Sequence, residues 1–166
     1  MPNEPEAASE QDLIFLRQAI ELARAARAHG AHPFGSLIVD EHGQVIVTAR
    51  NNAVRPKGEP TQHAERLACT KAAKLFSDEV LAKSTLYTST EPCAMCAGAI
   101  YWTGIGRVVY ALSEKGLLHY TGSNPENPTL DLPCREVFAR GQRPTQVIGP
   151  LIEEEAAQVH EGFWTT

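Results

Sequence analysis

Four residues of this chain have the types and spacings that hold a metal ion and move a proton. Cys93 and Cys96 stand three apart in the stretch YTSTEPCAMCAGAIYW, residues 87–102, and His63 and Glu65 stand two apart in TQHAERLACTKAAKLF, residues 61–76. The first stretch predicts a helix beginning near Pro92, because proline at the first helical position loses no intrahelical hydrogen bond. Thr88, Ser89 or Thr90 can accept from open amides in the preceding turn. On such a helix Cys93 and Cys96 lie close to one face, one turn apart. The open amides and the positive end of the helix dipole favour thiolates there. Alone, the pair reads as half of a zinc site, as a redox pair or as two small buried side chains.

His63 changes that balance. It opens a second predicted helix, so two helix starts together supply one imidazole and two thiolates, a ligand set for one zinc ion per subunit with a fourth position open to water. Glu65, two residues beyond His63, can approach that open position without being a ligand, which makes it the proton carrier. The chemistry suited to this set is hydrolytic deamination of an aromatic, amidine-like carbon. A metal-activated water attacks the carbon, and Glu65 returns protons to the ring nitrogen and the departing amine. A structural zinc wants a fourth protein ligand, and none stands beside the three. A zinc-stabilised interaction protein is the non-enzyme alternative; it could keep His63 and both Cys but has no use for Glu65.

These residues need elements to position them. Residues 10–29 show helical periodicity in Leu13, Leu16, Ile20, Ala23 and Arg27, widened by Ile14 and Leu22, with Ser9 and Asp12 as a capping arrangement and Gly30 as the stop. AHPFGS, residues 31–36, turns into a short strand at 37–39. Residues 40–43 form a hairpin turn and 44–49 the returning strand. Residues 61–76 make the His63 helix, with Thr61 as its cap and Leu67, Ala68, Lys71, Ala72 and Leu75 on its buried side; Cys69 is a core thiol. A third strand at 84–88 feeds the Cys helix, so the chemistry lies at carboxyl ends of strands. RVVYAL, residues 107–112, is the fourth strand, and a short fifth is expected at 146–149. Residues 113–135 read as an ordered lid with at most short helices, followed by a short helix at 134–139 and a terminal helix at 151–160. The expected fold is a three-layer α/β/α domain with a mixed five-stranded sheet, occupying residues 10–166 after a loose N-terminus at 1–9.

Composition narrows the function classes. The chain has 166 residues, 43% of them apolar and 21% charged, which suits one soluble domain. No basic-apolar leader and no run of 18 apolar residues occurs, so a membrane span is not expected. Four Cys with no disulfide-like spacing suit a reducing, cytoplasmic setting. The formal charge of -5 is concentrated at the ends, with three Glu in residues 1–10 and four in 151–166. No dense Lys/Arg patch exists to hold several phosphates, which argues against nucleic acid as a partner.

His63-Ala64-Glu65 followed by Pro92-Cys93-Ala94-Met95-Cys96 resembles the H-x-E…P-C-x-x-C signature of the cytidine and deoxycytidylate deaminase-like superfamily of zinc enzymes. The likeness runs from about residue 19 to 112. HPFGSLIV, the Asn pair at 51–52, QHAE, the 87–102 stretch and RVVYAL are similar to the branch containing bacterial guanine deaminases and tRNA adenosine deaminases. That resemblance implies that Asn51 hydrogen-bonds a base, that Phe34 packs on it, and that Ser89, Thr90 and Glu91 line the pocket through their main chain. It also implies an acidic lid residue that recognises guanine and a C-terminal segment that closes a pocket. Phe163 and Trp164 would do the closing, in this subunit or its neighbour. The lid differs in length from the guanine enzymes, so its acid, whether Glu114, Asp131 or Glu136, is not assigned by likeness.

The favoured substrate is a small amino-bearing nucleobase or nucleoside of the guanine type. The alternatives are cytosine, an aminotriazine, or adenosine in tRNA; the Glu run of the terminal helix would repel RNA. The Cys helix is apolar on nearly every side, and with the family likeness this predicts a homodimer.

Overall fold

The computed structural model describes residues 8–165, so the expected loose N-terminus lies almost wholly outside the described residues. Helix α1, Glu10–Ala28, is capped as expected: the Ser9 hydroxyl accepts from the Asp12 amide and the Asp12 carboxylate accepts from the Ser9 amide. Its buried stripe is turned slightly from the expected one. Phe15, Leu16, Ala19, Ile20, Ala23 and Ala26 face inward, whereas Ile14 is half exposed, because the stripe follows Phe15 and the small residues that let α1 approach the sheet. At Gly35 that approach is closest. A Cβ there would lie 2.4 Å from the Ala19 carbonyl oxygen, so only glycine fits.

Strands β1, Gly35–Val39, and β2, Val45–Arg50, form the expected antiparallel hairpin, with the Asp40 carboxylate accepting from the His42 and Gln44 amides in the turn. Helix α2 spans Ala64–Leu75, the short helix α3 spans Asp78–Ala82, and β3 spans Thr85–Thr90. Helix α4, Ala94–Thr103, then leads through a left-handed Gly104 to β4, Arg107–Leu112. Helices α5, Glu114–Thr121, and α6, Cys134–Ala139, precede β5, Gln146–Ile148, and α7, Glu153–Ala157, closes the fold with a 3₁₀ turn to His160.

The sheet order is β2-β1-β3-β4-β5, with β1 antiparallel to both neighbours and β3, β4 and β5 mutually parallel. Alternate strand residues serve opposite layers. Leu37, Val39, Tyr87 and Val109 pack with α1 and α7. Ile38, Leu86, Val108 and Tyr110 pack with α2, α4 and α6. This is the expected three-layer mixed sheet.

Several boundaries differ from expectation for local reasons. Helix α2 begins at Ala64, not Thr61, because residues 59–63 are committed to a turn. The Glu59 carboxylate holds the Thr61 amide and hydroxyl, and Asn52 pairs with Gln62 through both backbone and side chain. Leu75, expected inside, is exposed, and Cys69 takes a core place, as expected, beside Ala68 and Ala72. Thr88, Ser89 and Thr90 lie in β3 rather than in a capping turn, and α4 starts two residues after Pro92. The lid contains a full two-turn helix, α5, which Ser113 caps by accepting from the Gly116 amide. The terminal helix is shorter than expected, because Ile152 takes a left-handed backbone just before it.

Candidate active site

The site forms where the starts of α2 and α4 meet beyond the carboxyl ends of β3 and β4. His63 occupies the N-cap position of α2 and Cys93 that of α4, neither using its side chain as a cap. Their donor atoms are therefore free to face each other. Both sulfurs lie 3.6 Å from His63 Nδ1, and all three ligand atoms fall within 4.8 Å of one another. An imidazole and two thiols at this separation fit a zinc ion, whose bonds to nitrogen and sulfur are about 2.0–2.3 Å long. His63, Cys93 and Cys96 thus form a possible metal site.

The electrostatics support the same donor set. The Cys96 thiol and the His63 ring, acting against burial, hold the Cys93 thiol well below its ordinary value. The hydrogen bond to Cys93, with burial, pushes the Cys96 thiol up. The contact with Cys93 raises the His63 value. Metal binding at such a set exchanges protons for the cation, so affinity rises with pH until the ligands are deprotonated.

Glu65 stands in the first turn of α2 and is almost fully buried. Its carboxylate accepts from the Thr88 hydroxyl of β3 at 2.9 Å. Burial pushes its pKa up, and the positive influence of His63 only partly offsets that. A buried carboxyl with raised proton affinity beside a possible metal site is equipped to take and return a proton.

Around this centre Phe34, Thr90, Glu91, Glu114, Leu117 and Asn127 complete the inner pocket. Thr90 contributes a buried hydroxyl without a partner among the described residues. Asn51, buried at the end of β2, accepts from the Ala53 amide through its Oδ1, which leaves its NH2 group available. It lines an outer chamber of about 500 Å³ that shares Phe34, His63 and Asn127 with the inner pocket. Ser89 instead accepts from the Gly35 amide at 3.1 Å, tying β3 to the entrance of β1.

Of the three lid acids named from sequence, Glu114 faces the inner pocket and Asp131 and Glu136 are exposed. Burial and the nearby Cys93, Glu91 and Glu65 charges push the Glu114 pKa up to about 7. Phe163 and Trp164 fold back within the same chain: both rings pack on His32, and Trp164 also packs near Phe34. The Trp164 carbonyl accepts from the Asn124 side chain, linking tail to lid. Leu117 and Asn127 carried no sequence signal; they reach the site only through the path of the lid.

This combination of a mixed sheet, two converging helix starts and a Cys2His site defines a class, the α/β/α metal-dependent deaminases. The profile of the cytidine and deoxycytidylate deaminase zinc-binding region matches residues 9–112. The chain is 47% identical over 156 residues to a probable cytosine deaminase of Schizosaccharomyces pombe, covering 94% of each. It is 41% identical over 106 residues to a tRNA-specific adenosine deaminase of Haemophilus influenzae, covering 64% of this chain and 61% of that one. The solved guanine deaminase of Nitrosomonas europaea superposes with a TM-score of 0.72 at 29% identity, over 95% of this chain and 86% of the other. The chain belongs to the cytidine and deoxycytidylate deaminase zinc-binding family and is a hydrolytic nucleobase or nucleoside deaminase. No helix among the described residues is long and apolar enough to cross a membrane.

Proposed function

We propose that this deaminase acts on a small free base of the guanine type, with Glu65 as its proton carrier. The observation that carries the substrate reading is Glu114, a carboxyl on α5 that shares the inner pocket with Glu65. Guanine offers ring N–H groups that a carboxylate accepts and ring acceptors that the free Asn51 NH2 can meet. Phe34 supplies an apolar face for the ring, and the unpartnered Thr90 hydroxyl offers one further polar contact.

His63, Cys93 and Cys96 would hold the zinc ion, which when bound would supply the activation of water that the hydrolysis needs. Glu65, its carboxylate oriented by the Thr88 hydroxyl, is the group placed to carry a proton from the attacking water to the ring nitrogen and the leaving amine. Leu117 on α5 lines the inner pocket, and His160 and Trp164 of the tail pack near Phe34, whose ring also lines it; this supports the lid and tail as the elements that limit access of bulk water.

The structural likeness to a guanine deaminase covers 95% of this chain, which supports the guanine reading. Cytosine is the second reading, favoured by the 47% identity to a probable cytosine deaminase over nearly the full length of both chains. Ammonia release by the zinc-loaded protein, screened over guanine, cytosine, adenine, their nucleosides, aminotriazines and an anticodon-loop RNA, separates the readings. Guanine is expected to give the highest kcat/KM. Preference for cytosine overturns the substrate class, and activity on the RNA alone overturns the small-molecule reading.

Residues 10–166 act as one domain, with the lid at 113–135 and a closing tail at 150–166. The working unit is a homodimer. Trp102 on α4 is 84% exposed next to the partly buried Tyr101 and Ala99, an apolar surface that a second copy would cover. Sedimentation of the intact chain as a monomer at working concentration would refute it. The four free thiols suit a reducing compartment such as the cytoplasm.

A further inference from the structure

Glu91 directly precedes the Pro-Cys pair, and its side chain does something its position in the motif does not announce. It is buried, and its two carboxylate oxygens accept from two backbone amides far apart in the chain. Glu114 N–H donates to one oxygen at 3.1 Å, and Cys134 N–H donates to the other at 2.9 Å. Glu114 is the first residue of α5 and Cys134 the first of α6. Those amides are the two ends of the lid. The backbone of Glu91 is itself fixed to the end of β4, its amide donating to the Leu112 carbonyl at 2.7 Å.

One carboxylate therefore closes the base of the excursion from residue 114 to 134 and ties it to the loop that bears Cys93. The start of a helix has open amides that need acceptors, and a carboxylate is the strongest ordinary one. At α5 the work is shared: Glu153 accepts from the Ser113 amide and hydroxyl, while Glu91 accepts from the next amide. Together they set the rotation of the first turn of α5, and so the direction in which the Glu114 side chain leaves it. Leu117 and Asn127, which also line the pocket, hang from the same excursion.

We propose that Glu91 is a positioning residue for substrate binding: its carboxylate staples both ends of the lid and thereby aims Glu114 into the pocket. The catalytic consequence rests on the deaminase reading above, whereas the staple itself does not. Glu91→Gln is the sharpest perturbation, because an amide of the same size has one acceptor oxygen and an NH2 group. One of the two backbone donors must then face another donor.

Hydrogen exchange on the full-length, zinc-loaded protein tests the staple without any turnover. In Glu91→Gln the amides of residues 114–134 should exchange about tenfold faster, with α1 and β3 unchanged. Kinetics test the positioning. KM should rise about tenfold with a smaller fall in kcat, and in a Glu114→Ala background the same substitution should change KM by less than about twofold. Unchanged exchange in the lid, or faster exchange throughout the protein, overturns the staple. A KM penalty that persists in full without the Glu114 side chain overturns the aiming role. If Glu91→Gln fails to fold, Cys134→Pro removes the donor at the far end of the lid together with a buried thiol, and Cys134→Ala, which keeps the donor, is its control; faster exchange confined to the lid in the proline variant and not in the alanine one is expected, and its absence overturns the proposal. A wild-type protein that releases no ammonia from any compound would sink the functional reading while leaving the exchange result to decide the staple.

Discussion

Two consecutive residues of β3 serve two buried carboxyls on opposite faces of the sheet, and their fates diverge. Tyr87 points toward α1, where its hydroxyl donates to Asp12 at 2.6 Å; Thr88 points toward α2, where its hydroxyl donates to Glu65 at 2.9 Å. Asp12 also receives a two-point ion pair from Arg107, 2.8 Å on each oxygen, and the Ser9 amide. Burial opposes its ionisation, but these bonds outweigh it and hold the carboxyl well below the usual carboxylate range. Glu65 has no side-chain cation paired with it among the described residues, and burial raises its pKa. A neutralised buried carboxylate is a structural rivet joining α1, β3 and β4. A buried carboxyl left short of a counter-charge retains affinity for a proton, which is what a proton carrier requires.

That contrast can be broken from either side. The largest effect is expected from Glu65→Gln, which keeps the size and a contact with Thr88. Deamination should fall by about a thousandfold, while zinc content by elemental analysis stays at one ion per chain and stability is unchanged or improved, because a buried ionisable group has been removed. Activity within tenfold of wild type would remove Glu65 from the mechanism.

Asp12→Asn should do the reverse. It leaves Arg107 without its anion and is expected to lower unfolding stability by about 3 kcal/mol in urea titrations, with kcat within about threefold of wild type. Because the folded pKa of Asp12 is depressed, its contribution is complete above the unfolded value of 3.8 and is lost as pH falls through the folded one. The gap between wild type and variant should therefore be constant at neutral pH and narrow only in strong acid.

The smallest effect sharpens the comparison with a third buried group. His160 lies among Phe34, Tyr120 and Trp164, and burial lowers its pKa from 6.5 to about 4. The folded state resists the proton that the unfolded chain accepts, so stability is full above 6.5 and declines as pH falls toward 4. The loss should reach about 1.4 kcal/mol around pH 5.5 and be absent from His160→Gln, read from urea midpoints across pH. Equal acid sensitivity in the variant would show that another group dominates.

The metal site was legible because its parts are local and chemically demanding. Few residue types bind zinc, and His63, Cys93 and Cys96 are recognisable from type, spacing and a following helical run before any packing is known. The hairpin, the strand order along the chain and the capping of α1 were legible for the same reason: turn and cap chemistry acts over three or four residues. Even there, the competition at residues 59–63 between a helix start and a turn was settled by Asn52, a partner ten residues away from Gln62.

What tertiary structure alone decided is which distant residues share a wall with the metal. Nothing local separates Glu114 from Asp131 and Glu136; only the lid's path, held at both ends by Glu91, puts the first in the pocket and leaves the others in solvent. The same holds for the tail, whose aromatics pack on His32 and Phe34, in the connection between α1 and β1 of their own chain. By itself the sequence pointed to the candidate metal ligands, the deaminase class and the order of the strands and main helices, because those depend on residue type and short-range geometry. The shape of the substrate pocket depends on long-range contacts that no spacing encodes, and the fold had to bring them together.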